Sequence, residues 1–278
     1  MRVQKFKLNK ILIFVFSLFL VNSAIASDLI MTAPPREKVS AGKALYGPLA
    51  AAISNVLGVK VVYRHPGNWL RYQRNMRNGE YDIVFDGPHF ASWRIEHLGH
   101  RALVKLPGSL DFFLVSYKSD TEIVNPESLI GKKICGISPP NLSTLSVLAR
   151  FDNPVRQPVI LGIRGGMGKV LKKFENGACR AAVFRNTFFY KKISKEKQAK
   201  FKIIFESESL PNQVITVSNR ISKSQGEKLA KAIMFGKAAN AAKPIVKRFG
   251  GKAKSFVPAK SEEYFGPRIL LEGVIFGW

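Results

Sequence analysis

The stretch Asn78-Gly-Glu-Tyr-Asp-Ile-Val-Phe-Asp-Gly-Pro-His-Phe90 reads as the end of one helix, a buried strand and the opening of a second helix. Asn78-Gly79 closes what precedes it. Tyr81 to Phe85 is a short β-rich apolar run interrupted by Asp82, the pattern of a strand in a covered parallel sheet. Gly87-Pro88 then starts a helix, because a proline at the first helical position lacks only an N–H that has no partner there. Free backbone N–H groups therefore gather at the carboxyl end of a strand, where open α/β sheets hold ligands. Such a turn also serves as a plain connection, so the rest of the chain has to decide.

Upstream, 29–32 reads as a strand and 40–57 as a helix. Ala44, Leu45, Leu49, Ala52, Ile53, Val56 and Leu57 form its apolar stripe and Gly58 its stop. Strand 59–63 follows, then a helix capped by Asn68 and running through Arg77. Downstream come helix 88–98, closed by Gly99, and strand 101–106. This is a doubly wound βα pattern. Two further strand-like runs, 112–117 and 213–217, bracket a second set: strand 132–137, helix 142–151, strand 158–163, helix 166–175, strand 179–184, helix 186–192 and strand 201–205. Beyond Ser218 the chain reads as helical, with Ser222 capping a long amphipathic segment to Asn240. The expected fold is α/β: two doubly wound lobes joined by two hinge strands. Residues 27–116 with 217–278 form lobe one, and 117–216 form lobe two.

The first 26 residues carry Arg2, Lys5, Lys7 and Lys10, then an apolar run over 11–21, then Ala24-Ile25-Ala26. That is the plan of a cleavable secretory signal peptide. The apolar run is shorter than the roughly 20 residues a span needs. Export predicts a soluble periplasmic protein beginning near Ser27. In an oxidising compartment the two cysteines, Cys135 and Cys179, are expected to form a disulfide across adjacent parallel strands; two buried free thiols are the alternative. Two cysteines alone do not make a structural zinc site, which wants four ligands.

The formal net charge is +25, four units of it in the first 26 residues, and 191–202 and 243–254 are rich in lysine. Such runs usually form solvated faces, and an evenly basic surface raises local anion concentration. Basic residues interleaved with aromatics on one face, as nucleic-acid binding wants, are not evident, so no nucleic-acid partner is expected. With four histidines and neither a Gly-x-Ser-x-Gly elbow nor a His-Glu-x-x-His motif, no catalytic residue is assigned. His97 and His100 can share a helix face but lack a third ligand, so no metal or cofactor is expected.

Three motifs carry a resemblance. Tyr46-Gly47-Pro48-Leu49 lies in the first helix. Gly79-Glu-Tyr-Asp82 leads into Gly87-Pro88-His89-Phe90. The loop Ser138-Pro-Pro-Asn-Leu-Ser-Thr-Leu-Ser146 opens a helix in the second lobe. In order and spacing, over essentially the whole chain after the signal, they resemble the phosphate-, phosphite- and phosphonate-binding branch of the type 2 periplasmic solute-binding proteins of ABC importers. The resemblance implies a two-lobed binding protein, not an enzyme, that closes on a small oxyanion and delivers it to an inner-membrane ABC permease. The alternative is a periplasmic sensor or scaffold of the same fold acting on a membrane signalling partner. A monomer is expected. Departures from the family pattern bear on the ligand: Leu145-Ser146 replaces Ser-Gly, the loop Arg164 to Gly168 has no His, and Arg180 stands where an Asp is usual.

The candidate ligand residues follow. Ser143 and Thr144 offer hydroxyl and N–H donors at a helix N-terminus, which favours anions; the plain role of Ser143 is a cap. Gly87, Pro88 and His89 form the facing turn. The resemblance puts Trp69 toward the ligand, and Tyr46 more weakly. Arg164 and Arg185 follow strands of the second lobe, and guanidinium suits phosphate, phosphonate or carboxylate.

Overall fold

The computed structural model describes residues 27–151, 153 and 155–272; the expected signal peptide lies outside them. The elements run β1 (Leu29–Thr32), α1 (Val39–Leu57), β2 (Val61–Tyr63), α2 (Trp69–Arg77), β3 (Ile83–Asp86), α3 (Pro88–Leu98), β4 (Arg101–Lys105), β5 (Ser109–Leu110) and β6 (Phe112–Tyr117). Next come β7 (Lys133–Ile137), α4 (Leu142–Leu148), β8 (Val159–Ile163), α5 (Met167–Glu175), β9 (Ala181–Arg185), α6 (Asn186–Lys192), α7 (Lys195–Ala199), β10 (Phe201–Glu206) and β11 (Leu210–Pro211). The described residues close with β12 (Val214–Val217), α8 (Lys223–Met234), α9 (Ala239–Phe249), β13 (Val257–Pro258) and α10 (Ile269–Glu272).

Local chemistry sets these boundaries. Gly58 ends α1 in the left-handed region, at φ 70°, where its N–H donates to Ser54 O; glycine occupies that region without a Cβ penalty. Asn68 Oδ1 accepts from Arg71 N and starts α2, and Ser222 with Gln225 makes a reciprocal box at the start of α8. Pro88 is the first residue of α3.

One sheet has the order β13-β4-β12-β3-β1-β2, the other β10-β6-β9-β7-β8. In the first, β1 pairs in parallel with β2 and β3, and β12 runs antiparallel between β3 and β4. In the second, β7 pairs in parallel with β8 and β9, while β6 is antiparallel to β9 and β10. The two crossings between sheets pair with each other as the β5–β11 ribbon. The lobe boundaries therefore fall before the expected cuts. β6 belongs to the second sheet and β12 to the first, because an apolar strand run carries no mark of which sheet it joins.

One hydrophobic core fills the space between the first sheet and α1, α8 and α9, around Leu49, Ile53, Phe85, Leu229 and Ile245. A second runs from α2 and α3 through Phe112 and Leu114 to Leu142 and Leu145 of α4, and so spans both lobes. A third lies within lobe two around Phe174 and Phe184. The disulfide Cys135–Cys179 joins β7 to the approach to β9, with Cα atoms 5.6 Å apart. The single helix expected from Ser222 to Asn240 is two helices, broken at Phe235-Gly236. A Cβ on Gly236 would stand 2.9 Å from the Ala232 Cα, so the chain can double back there only through glycine.

Candidate functional site between the two sheets

The carboxyl end of β3 is where the site is built. Asp86, fully buried, takes two charge-assisted bonds from Arg94, at 2.7 and 2.8 Å, and a third from the Tyr72 hydroxyl. Arg94 Nη2 also donates to Thr216 Oγ1 at 3.0 Å. Burial depresses the Arg94 guanidinium, and the Asp86 carboxylate and Tyr72 hydroxyl together outweigh it, so the net displacement is upward. This dry network ties α2, β3, α3 and β12 together and fixes the Gly87–His89 turn that follows Asp86.

Above that base lies a cavity of about 200 Å³. From the first sheet's side it is lined by Arg36, Trp69, Gly87, His89, Phe90 and Phe249, and from the hinge by Leu110 and Gln213. The second sheet's side supplies Phe112, Ile137, Pro140, Asn141, Leu142, Met167 and Arg185. Trp69 stacks on Phe90, centroids 6.0 Å apart, and meets Tyr72 edge-on. The wall is largely apolar and aromatic, with a few polar groups converging on it, the usual make-up of a small-molecule site.

Its two cations come from opposite sides. Arg36 Nη1 donates to Gln213 Oε1 at 2.9 Å, and its guanidinium stands 5.5 Å from the Phe249 ring centre. Arg185 Nη2 donates to Ser109 O at 3.1 Å, while its Nε is buried without a partner. Burial lowers the Arg185 pKa from its ordinary value, with Asp111 acting in the opposite sense; a guanidinium stays charged regardless. No carboxylate stands among the described lining residues.

His89 is 2% exposed and its Nε2 lies 3.1 Å from Pro140 O. The carbonyl can only accept, so Nε2 carries the proton and the bond crosses from α3 to the loop before α4. Burial pushes the imidazole down to about 4, leaving it neutral at physiological pH, with Nδ1 buried and unpartnered.

The other candidates fall as follows. Ser143 and Thr144 are buried but do not line the cavity. The Ser143 hydroxyl donates to Asn141 Oδ1 at 2.7 Å, and Thr144 Oγ1 donates to Ile137 O at 2.6 Å. Asn141 is the cap of α4, its side chain accepting from Ser143 N at 3.1 Å. Pro88 is buried behind Gly87. Tyr46 sits inside the first core, 5.2 Å from the Tyr63 ring and 6.2 Å from Phe85, and burial raises its hydroxyl to about 12. Arg164 is exposed and outside the cavity. Arg180 bonds Asp120 at 2.7 and 2.6 Å and Glu122 at 3.0 Å. His97 packs on Trp93, and His100 Nδ1 lies 3.3 Å from Thr216 Oγ1.

Sequence reasoning passed over Arg36, Asn141, Gln213 and Phe249. Arg36 had a signal, since it follows β1 at the same sheet edge as Gly87. Asn141 had another, being the better cap immediately before the apolar run. Gln213 and Phe249 reach the cavity only through the long-range return of the chain.

Comparison with curated proteins yields no match. Among solved structures, XAC2383 from Xanthomonas citri, bound to ATP, superposes with a TM-score of 0.68 at 14% identity, over 90% of this chain and 100% of that one. PhnD1 from Prochlorococcus marinus in complex with methylphosphonate gives 0.59 at 14% identity, over 88% and 97%. A binding-protein component of an ABC phosphonate transporter from Pseudomonas aeruginosa gives 0.55 at 14%, over 85% and 82%. At such identities these likenesses establish the two-lobed fold. A family model described as ABC transporter, phosphonate, periplasmic substrate-binding protein matches residues 31–264. The chain belongs to the family of periplasmic substrate-binding proteins of ABC phosphonate transporters.

Proposed function

We propose that the protein captures a small oxyanion carrying a short apolar substituent, a phosphonate-like ligand, between its lobes and presents it to an ABC permease. The observation that carries this reading is the lining: two guanidinium groups and no acid, in a cleft otherwise walled by Trp69, Phe90, Phe112, Leu142 and Phe249. Arg36 and Arg185 hold the oxyanion with charge-assisted bonds. Gly87, His89 and Asn141 shape the polar floor, and the aromatic wall takes the organic group. Ser143 and Thr144 act from behind, holding the Asn141 loop, and Trp69 forms part of the wall. Processing near Ser27 releases a monomer into the periplasm, and the protein performs no catalysis. A ligand bearing an ammonium group meets no carboxylate and binds less well.

The test is a thermal-shift and calorimetric panel of phosphate, phosphite, methylphosphonate, aminoethylphosphonate, sulfate and small carboxylates at matched ionic strength. Binding to the folded state alone, at a hundred times Kd, adds about 2.7 kcal/mol. For a chain of this size that raises the melting temperature by roughly 5–10 °C. Methylphosphonate should give the largest shift, ahead of inorganic phosphate and aminoethylphosphonate. A shift with carboxylates alone, or with none of the panel, would overturn the assignment.

A further inference from the structure

The basic charge of the chain is not evenly spread. Residues 219–260 hold eleven Lys or Arg against a single acid, Glu227. Two of these cations are spoken for, Arg220 by Asp82 and Arg248 by Glu37. The lysines of α8 and α9 are exposed and, among the described residues, make no ion pair. In the middle of them, at the turn between the two helices, Phe235 is 79% exposed.

Geometry gathers these groups. Lys228, Lys231 and Phe235 are three and four residues apart and so share the outer face of α8, opposite its buried residues Gly226, Leu229 and Ile233. Lys237 lies just past the turn, and Lys243 and Lys247 follow at one-turn spacing on α9, whose buried residues are Ala242, Ile245 and Val246. The turn is also remote from the cleft. α9 runs from beside Phe235 to Phe249 in the cavity wall, a length of about 15 Å at 1.5 Å per residue.

We propose that the α8–α9 corner docks on the surface of an anionic phospholipid bilayer, with Phe235 entering the headgroup region and Lys228, Lys231 and Lys237 meeting phosphates. An exposed aromatic within a predominantly cationic face has little to gain from bulk water. It suits an interface that offers apolar depth and negative charge together. Each lysine near such a surface contributes independently of ligand chemistry. Docked this way the bilayer contact lies about one length of α9 from the cleft wall at Phe249.

The test is flotation of the exported protein with vesicles of phosphatidylcholine and phosphatidylglycerol in equal parts, against vesicles of phosphatidylcholine alone. Binding is expected to the anionic vesicles only, and to disappear as salt rises from about 0.1 M to about 1 M. The triple variant Lys228→Glu/Lys231→Glu/Lys237→Glu should lose roughly a hundredfold or more in partitioning, and Phe235→Ser roughly tenfold. A control reversal in lobe two, Lys191→Glu/Lys192→Glu/Lys195→Glu, should leave it nearly unchanged. Melting curves verify that each variant is folded. Equal losses in the triple variant and the control would mean diffuse charge and overturn the docking corner. So would unchanged binding by Phe235→Ser, or retention on heparin or DNA as tight as on vesicles and indifferent to Phe235.

Discussion

Arg185 is the side chain on which the ligand reading leans most. It is partly desolvated, its Nε has no partner, and one Nη is held by Ser109 O in the hinge. Hydrogen bonds to a charged group are worth about 1.5–3 kcal/mol. Arg185→Ala should therefore weaken methylphosphonate binding by roughly ten- to a hundredfold in calorimetry, and Arg185→Lys should restore only part, because an ammonium lacks the planar fork. The two buried histidines make a separate prediction. Burial holds His89 down at about 4 and His100 at about 3, against about 6.5 in an unfolded chain. The unfolded chain thus takes up protons first as pH falls. Their contribution to stability is complete above about pH 6.5 and is lost as pH drops through about 4. The melting temperature should be level near neutrality and begin to fall below about pH 6, above the range in which carboxylates protonate. The double variant His89→Gln/His100→Gln should delay that fall. An unaltered profile would assign the acid sensitivity to carboxylates such as Asp120 and Glu96, whose values lie below the usual range.

At the level of elements, the Asp86–Arg94 pair is the junction of α2, β3, α3 and β12. Removing one partner from a dry ion pair leaves the other charge uncompensated, at a cost of about 3–5 kcal/mol. Asp86→Ala should lower the melting temperature by roughly 10 °C, and Asp86→Leu/Arg94→Met should recover most of the loss. Circular-dichroism melting curves of both variants check this. The same junction shows where sequence reading succeeds and where it stops. The strand and the Pro88 helix start were legible because they rest on local chemistry: a continuous β-rich apolar run, a missing N–H, a glycine stop. The caps Asn68 and Ser222 were legible for the same reason. Arg94 was not, since a mid-helix arginine reads as solvent-facing until β12 arrives from over a hundred residues away. The Asn141 cap has a local signal, but Ser143, Thr144 and Ser146 beside it offer the same capping chemistry, so the pattern alone does not separate them. Arg185 was found because it ends a strand. Gln213 and Phe249 depend on tertiary return, which no local pattern encodes. The break at Gly236 could be read only from the close approach to Ala232 that the folded turn imposes.

On the scale of the whole molecule, the second sheet is drawn from one continuous segment, 112–206, whereas the first is assembled from two. β12 lies between β3 and β4 and bonds to both. Without it β4 has no partner on that side, and α8 and α9 have not yet covered α1. A chain terminated after Glu208 should therefore keep 112–206 resistant to limited proteolysis, with Cys135–Cys179 formed, while 27–105 is digested. Mass spectrometry of the fragments checks it, and protection of 27–105 would show that the leading segment folds alone. Placing a central strand so late has a consequence for biogenesis. A chain threaded through a membrane amino end first delivers Ile83, Val84 and Phe85 into the receiving compartment long before β12, the strand that pairs with them. The half of the protein that arrives first is the half that finishes last. Over the interval in which the second lobe emerges, the unpaired edge of β3 is the part most open to mispairing.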